Sequence, residues 1–269
     1  MSGGETHGSR ISDAFKRLRD EGRRGFVPFI TAGDPDLGTT RALVVELARA
    51  GATAVELGVP FSDPVADGPV IQRSSERALK RGVGLADVLS LVAEARRETD
   101  VPVVLFSYFN PLLQFGVERL AEESARAGVD GILVTDLVPE EAADFNSALS
   151  RRRIDQIFLV APTTSDARLR SIATRASGFV YAVSRAGVTG ARTDLSSDAA
   201  RLVARVRGLS DLPVAVGFGI STPEHVSEVW RYADAAVVGS ALVSEIEKST
   251  GRADLIEHVG AFARSLLPE

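Results

Sequence analysis

A chain of 269 residues, 45% of them hydrophobic, can fill either one barrel-sized core or two smaller ones. Its net charge of -5 and its scattered basic residues argue against the basic patch of a nucleic-acid binder. The absence of cysteine removes disulfides and thiolate chemistry and suits a cytoplasmic protein, and no apolar run reaches the roughly 18 residues of a membrane helix.

Residues 1–10 lack the apolar centre of a signal peptide and read as a flexible tail, leaving 11–269 as one catalytic domain. Ser12 is placed to cap a short helix over 13–20, closed by Gly22. Residues 26–31 are an apolar run stopped by Gly33-Asp34-Pro35, and 39–51 carry Leu43, Val44 and Leu47 at helical spacing. A strand over 53–58 leads into a proline-rich loop. A helical region follows to residue 98, with Val88, Leu91, Val92 and Ala95 on one face. Further strands are expected over 101–108, 131–135, 154–160, 179–183, 214–216 and 235–238. They alternate with helices over 117–127, 139–149, 166–176, 196–207 and 223–232, and a C-terminal helix carries Leu255, Val259, Phe262 and Leu266 on one stripe.

The strands are apolar throughout rather than alternating, as parallel strands covered on both faces are. Eight β–α units at this length predict a single (β/α)8 TIM barrel with an extra N-terminal helix. A doubly wound sheet usually has fewer strands and a glycine-rich first turn, where this chain has Gly33-Asp34-Pro35.

Barrel enzymes keep their chemistry at the C-terminal ends of the strands, and that rule sorts the candidates. Glu56 interrupts the second apolar strand near its end, and Asp67 lies on the loop above it. A carboxylate in such a strand is costly unless something pairs with it or uses it, so an ion pair or a loop cap stands beside a catalytic role. Three glycine-bearing turns fall late on the same face: Gly187-Val-Thr-Gly190, Gly217-Phe-Gly219 and Gly239-Ser240. The last opens a helix whose free N–H groups favour an anion, and the final two loops are the usual phosphate position in these barrels. The only lysines, Lys16, Lys80 and Lys248, fall on predicted helices, which leaves a Schiff-base mechanism without an amine. His7, His225 and His258 lie on the tail and two outer helices without ligand spacing, so no metal and no cofactor is expected. General acid–base catalysis by two carboxylates remains.

These stretches resemble the α subunit of tryptophan synthase over residues 11–265. The resemblance is carried by Phe26-Val-Pro-Phe-Ile-Thr-Ala-Gly-Asp-Pro35, Glu56-Leu-Gly-Val-Pro-Phe-Ser-Asp-Pro-Val-Ala-Asp-Gly-Pro69, Ala161-Pro-Thr-Thr-Ser-Asp166, Ser184-Arg-Ala-Gly-Val-Thr-Gly190 and Gly217-Phe-Gly-Ile220. It implies a lyase that splits indole-3-glycerol phosphate into indole and glyceraldehyde 3-phosphate by a retro-aldol reaction in tryptophan biosynthesis. The implied partner is a pyridoxal-phosphate-dependent β subunit, in an α2β2 heterotetramer. Glu56 then matches the acid–base residue and Asp67 the carboxylate facing the indole N–H. Phe29, Tyr181 and Phe218 match the indole pocket, and Gly190, Phe218, Gly219, Gly239 and Ser240 the phosphate site. Thr189 lies on the matching lid over 185–195, and Asp136 falls where the family has an aspartate of structural or coupling role. The Ser62-Asp63-Pro64 loop and the Asn110-Pro111 turn correspond to regions facing the β subunit. The chain departs from the family pattern at Thr135-Asp-Leu-Val138, where Pro-Asp-Leu-Pro is common, and at Phe106-Ser107, where methionine–glycine is more usual. Three other readings are a different phosphate-binding barrel isomerase or synthase, a stand-alone lyase that releases indole, and an inactive barrel that regulates a β subunit.

Overall fold

The computed structural model describes residues 8–183, 195–217 and 219–268. Eight parallel strands close in sequence order into a barrel. They are β1 (Gly25–Thr31), β2 (Val55–Gly58), β3 (Val103–Ser107), β4 (Gly131–Val134), β5 (Asp155–Val160), β6 (Val180–Val183), β7 (Val214–Gly217) and β8 (Ala235–Val238). The barrel closes where Gly25 of β1 pairs with Ala235 of β8. The helices described are α1 (Arg10–Asp20), α2 (Leu37–Arg49), α3 (Pro69–Lys80), α4 (Leu85–Ala95), α5 (Phe109–Phe115), α6 (Val117–Ala127), α7 (Ala143–Ser150), α8 (Asp166–Arg175), α9 (Leu195–Arg207), α10 (Pro223–Trp230), α11 (Ser240–Ser249) and α12 (Leu255–Ser265). None is long and apolar enough to cross a membrane.

Alternation along each strand divides the core in two. Val55, Leu57, Val103 and Leu105 point outward into the layer between strands and helices. Ala54, Val104, Leu133, Ile157, Phe179, Ala215 and Ala235 point inward and fill the barrel. Two buried layers explain why the strand sequences are apolar without a break.

The lower, N-terminal mouth is plugged by α1. Its Ile11 and Phe15 join the inner cluster, and the Phe15 ring lies 5.6 Å from that of Phe179. Each such buried side chain contributes about 1.5–3 kcal/mol. The helix begins three residues earlier than expected, because the capping serine is Ser9: its hydroxyl accepts the Ser12 N–H at 3.2 Å. Ser9 also donates to Asp155, and Arg10 pairs with Asp130 at 3.0 Å, so both residues are tied to the barrel floor.

Other boundaries differ from expectation for local reasons. The helical region expected to run to residue 98 is split at Gly82, whose φ of +77° ends α3. Helix α7 starts at Ala143 rather than 139, after a turn. The short α5 is absent from the expected elements, since Asn110-Pro111 reads as a turn and seven residues give too little periodicity.

Candidate active site

Strand β2 carries Val55 and Leu57 outward, so Glu56 between them faces the barrel interior. It pairs in register with Phe29 of β1 and Val104 of β3. Its side chain is fully buried, and neither carboxyl oxygen has a hydrogen-bond partner among the described residues. Removal from water, with no cation or donor among those residues to offset it, pushes its pKa from 4.5 up to about 8. Glu56 is therefore a neutral acid at pH 7, able to give a proton away.

The walls around it are aromatic. The rings of Phe29 and Phe106 meet edge to face at 5.3 Å, and Phe106 lies 6.5 Å from Tyr181. Two strand glycines make room for these rings. A Cβ at Gly58 would stand 2.6 Å from the Phe29 ring, and one at Gly217 would collide with the Tyr181 hydroxyl. Tyr181 is held well above its ordinary ionisation range, first by burial and then by the charges of Glu56 and Asp67. Both carboxyls are near enough to this phenol to disfavour its ionisation.

Asp67 reaches this position on a loop that is bonded to itself. The Asp67 N–H donates to the Pro64 carbonyl at 3.0 Å and the Val65 N–H to Asp63 at 2.9 Å, while Gln72 donates to the Asp67 carbonyl at 2.9 Å. Tyr108, at the end of β3, fixes the loop from below. Its hydroxyl accepts the Ala66 N–H at 2.9 Å, its ring lies 5.1 Å from that of Phe61, and it hydrogen-bonds the Asp67 carboxylate. Burial raises the Asp67 pKa to about 6 against the opposing effect of that bond. At pH 7 Asp67 is mostly ionised while Glu56 is mostly neutral. Two carboxyls whose environments separate their pKa values have the character of an acid and a charge stabiliser.

Two strands from β2 around the mouth, Gly239 precedes α11 without a side-chain cap, and Ser240 is exposed on its first turn. The α11 N–H groups therefore face outward unpaired by any capping side chain. Gly219 has φ +76°, a left-handed conformation, and open space where a side chain would begin. Asp136 accepts the Phe109 N–H at 2.7 Å and so holds the start of α5. Thr189, Gly190 and Phe218 lie outside the described residues. Sequence reasoning does not assign Tyr108 to the loop or Phe106 to the ring cluster. An aromatic residue at the end of an inward-facing strand is the available signal.

The comparisons with known proteins match the chain as a whole. The family model described as tryptophan synthase alpha chain matches residues 15–266. The tryptophan synthase alpha chain of Citrifermentans bemidjiense is 54% identical over 258 residues, covering 96% of each chain. The crystal structure of tryptophan synthase subunit alpha from Legionella pneumophila str. Paris superposes with a TM-score of 0.89 at 37% identity, covering 96% of this chain and 97% of that one. A chain of tryptophan synthase from Mycobacterium tuberculosis gives 0.87 at 36%, covering 98% of this chain and 100% of that one. A closed eight-stranded barrel with a proton-holding glutamate in its mouth, matched along nearly its whole length by these relatives, belongs to the tryptophan synthase alpha chain family.

Proposed function

We propose that this chain cleaves indole-3-glycerol phosphate with Glu56 as the acid–base group and Asp67 as the electrostatic partner. The observation that carries the reading is the Glu56 carboxyl, fully buried, without a hydrogen-bond partner among the described residues and with its pKa raised to about 8. The substrate's indole lies against Phe29, Phe106 and Tyr181, and Phe218 is expected to join them from the sequence resemblance alone. Glu56 protonates indole C3, and the resulting indolenine cation is the electron sink for the next step. Glu56, now a carboxylate, takes the proton from the glycerol hydroxyl beside the scissile bond. The C3–carbon bond breaks, its electron pair returns to the ring, and the aldehyde forms. Glu56 ends as it began.

Asp67, ionised at neutral pH, accepts the indole N–H and stabilises the positive charge growing on the ring. The phosphate sits on the N–H groups of Gly219, Gly239 and Ser240, and the sequence resemblance adds Gly190 and Thr189 to its contacts. The pH dependence has a definite sign. Turnover rises as Asp67 ionises near pH 6 and falls as Glu56 ionises near pH 8, giving a bell between them. A flat profile across that range would remove the assignment.

A β subunit that consumes the indole is the partner this reading requires, in an α2β2 assembly within the cytoplasm. Its docking is supported by exposed apolar side chains beside the site: Val65 on the Asp67 loop is 87% exposed and Leu113 on α5 is 51% exposed. The test is glyceraldehyde 3-phosphate release from indole-3-glycerol phosphate, measured with and without a tryptophan synthase β subunit. Release that rises with the partner supports the subunit reading. Fast release indifferent to the partner would make the chain a stand-alone lyase, and no release from folded protein would refute the activity.

A further inference from the structure

Behind the proposed phosphate end of the site, four charged side chains join three separate elements. Arg77 of α3 grips Asp34 with two parallel bonds, Nε to Oδ1 at 2.8 Å and Nη2 to Oδ2 at 2.7 Å. Asp34 lies on the turn after β1 and is almost completely buried. The remaining arm of Arg77 reaches Glu247 of α11 at 2.6 Å. Glu247 is held from its other side by Arg73 of α3, again bidentately, at 3.0 and 2.8 Å. Thr31 and Ser74 add a 2.6 Å hydrogen bond between β1 and α3. Forked guanidinium–carboxylate pairs are strong in geometry as well as energy, because they fix orientation.

The positions of these groups matter more than their number. Helix α11 begins at Gly239-Ser240, and α3 begins at Pro69, two residues after Asp67. Glu247 lies on the last turn of α11, where the helix that opens on the phosphate end is tied to the helix that continues from the acid loop. No other acidic side chain bonds both Arg73 and Arg77 among the described residues. Arg73 is half-exposed and Glu247 about 29% exposed, so this half of the network contributes little to stability by itself.

We propose that Glu247 is a positioning residue, which through Arg73 and Arg77 sets the α11 N-terminus against the Asp67 loop and so tunes affinity for the substrate's phosphate. The inference rests on the phosphate placement given above. A helix end displaced by a fraction of an ångström weakens its N–H contacts with an anion but leaves the proton chemistry at Glu56 alone. The loss therefore falls on KM rather than on kcat.

The experiment compares wild type, Glu247→Gln, Arg73→Gln and the double variant, using KM and kcat for indole-3-glycerol phosphate, the Kd of inorganic phosphate and the melting temperature. Glu247→Gln is expected to raise KM and the phosphate Kd together by about fivefold while kcat stays within about twofold. The double variant should be no worse than Glu247→Gln, since both changes open the same link. Unchanged KM and phosphate Kd in Glu247→Gln, with wild type binding phosphate, would overturn the inference alone. So would equal losses in kcat and phosphate affinity accompanied by a lowered melting temperature, which mark general loosening. A wild-type chain that binds no phosphate would overturn the phosphate placement and this inference with it.

Discussion

The paired carboxyls at the floor of this barrel and the Glu56 carboxyl near its mouth are treated in opposite ways. At the lower end Asp130 is paired with Arg10 and Arg96, and its Oδ2 also accepts the Val103 N–H at 2.8 Å. Beside it Asp155, whose pKa burial raises, takes hydrogen bonds from Ser9 and Ser177. At the upper end Glu56 is buried more completely than either and has no partner among the described residues. The desolvation cost is similar in kind, and even at the upper end Asp34 is offset by its forked bond to Arg77, so Glu56 stands apart. A fold that can satisfy a buried carboxyl through an arginine fork and a backbone N–H leaves one unsatisfied where the proton itself is needed.

Removing the reactive group breaks this contrast most sharply. Glu56→Gln is expected to lower kcat by about 10³-fold or more with little change in KM, measured as glyceraldehyde 3-phosphate release. The same variant should gain stability over wild type. Glu56 has a folded pKa raised from 4.5 to about 8, so its contribution is fully present below 4.5 and is lost as pH rises through 8. Chemical denaturation of the two proteins should therefore diverge across that window, with the variant the more stable at the alkaline end. Equal stabilities at every pH would mean that Glu56 is not desolvated.

At the other end the expectation reverses. Asp130→Ala leaves Arg96 and the Val103 N–H without their acceptor and should cost about 3–5 kcal/mol of unfolding free energy, read from urea midpoints. Its KM and kcat should stay near wild type while it remains folded. A large kcat loss with an unchanged midpoint would erase the distinction between the ends. Smaller still is the effect of Tyr108→Phe, which keeps the ring against Phe61 but frees Ala66 and Asp67. It should reduce kcat about tenfold, and it should shift the acidic limb of the pH profile upward, since the Tyr108 bond lowers the Asp67 pKa. An unmoved acidic limb would detach Tyr108 from Asp67.

Much of this molecule is legible in its amino-acid sequence. A glutamate inside an otherwise apolar strand, followed by an aspartate on a proline-rich loop, singles out both carboxyls, because strand patterning leaves few explanations for a charge there. Strand order follows from the β–α alternation. The sequence is silent where distant segments meet. Tyr108 touches a loop 42 residues away, and Asp130 collects arginines from α1 and α4, partners that no local spacing encodes. Ser9 escapes notice as a cap because the apolar stripe of α1 begins only at Ile11, and the short α5 has too few turns to reveal a period. The raised pKa of Glu56 depends on rings from β1, β3 and β6 that only closure of the barrel brings together.

The notches at Gly58 and Gly217 carry one more consequence. Because the Phe29 and Tyr181 rings lie where a side-chain carbon would otherwise stand, the adjacent backbone restricts how each can turn. Walls of this kind have little rotational freedom left to lose when a flat aromatic molecule settles between them. The entropy of ordering the pocket has been met during folding, and binding is spared it.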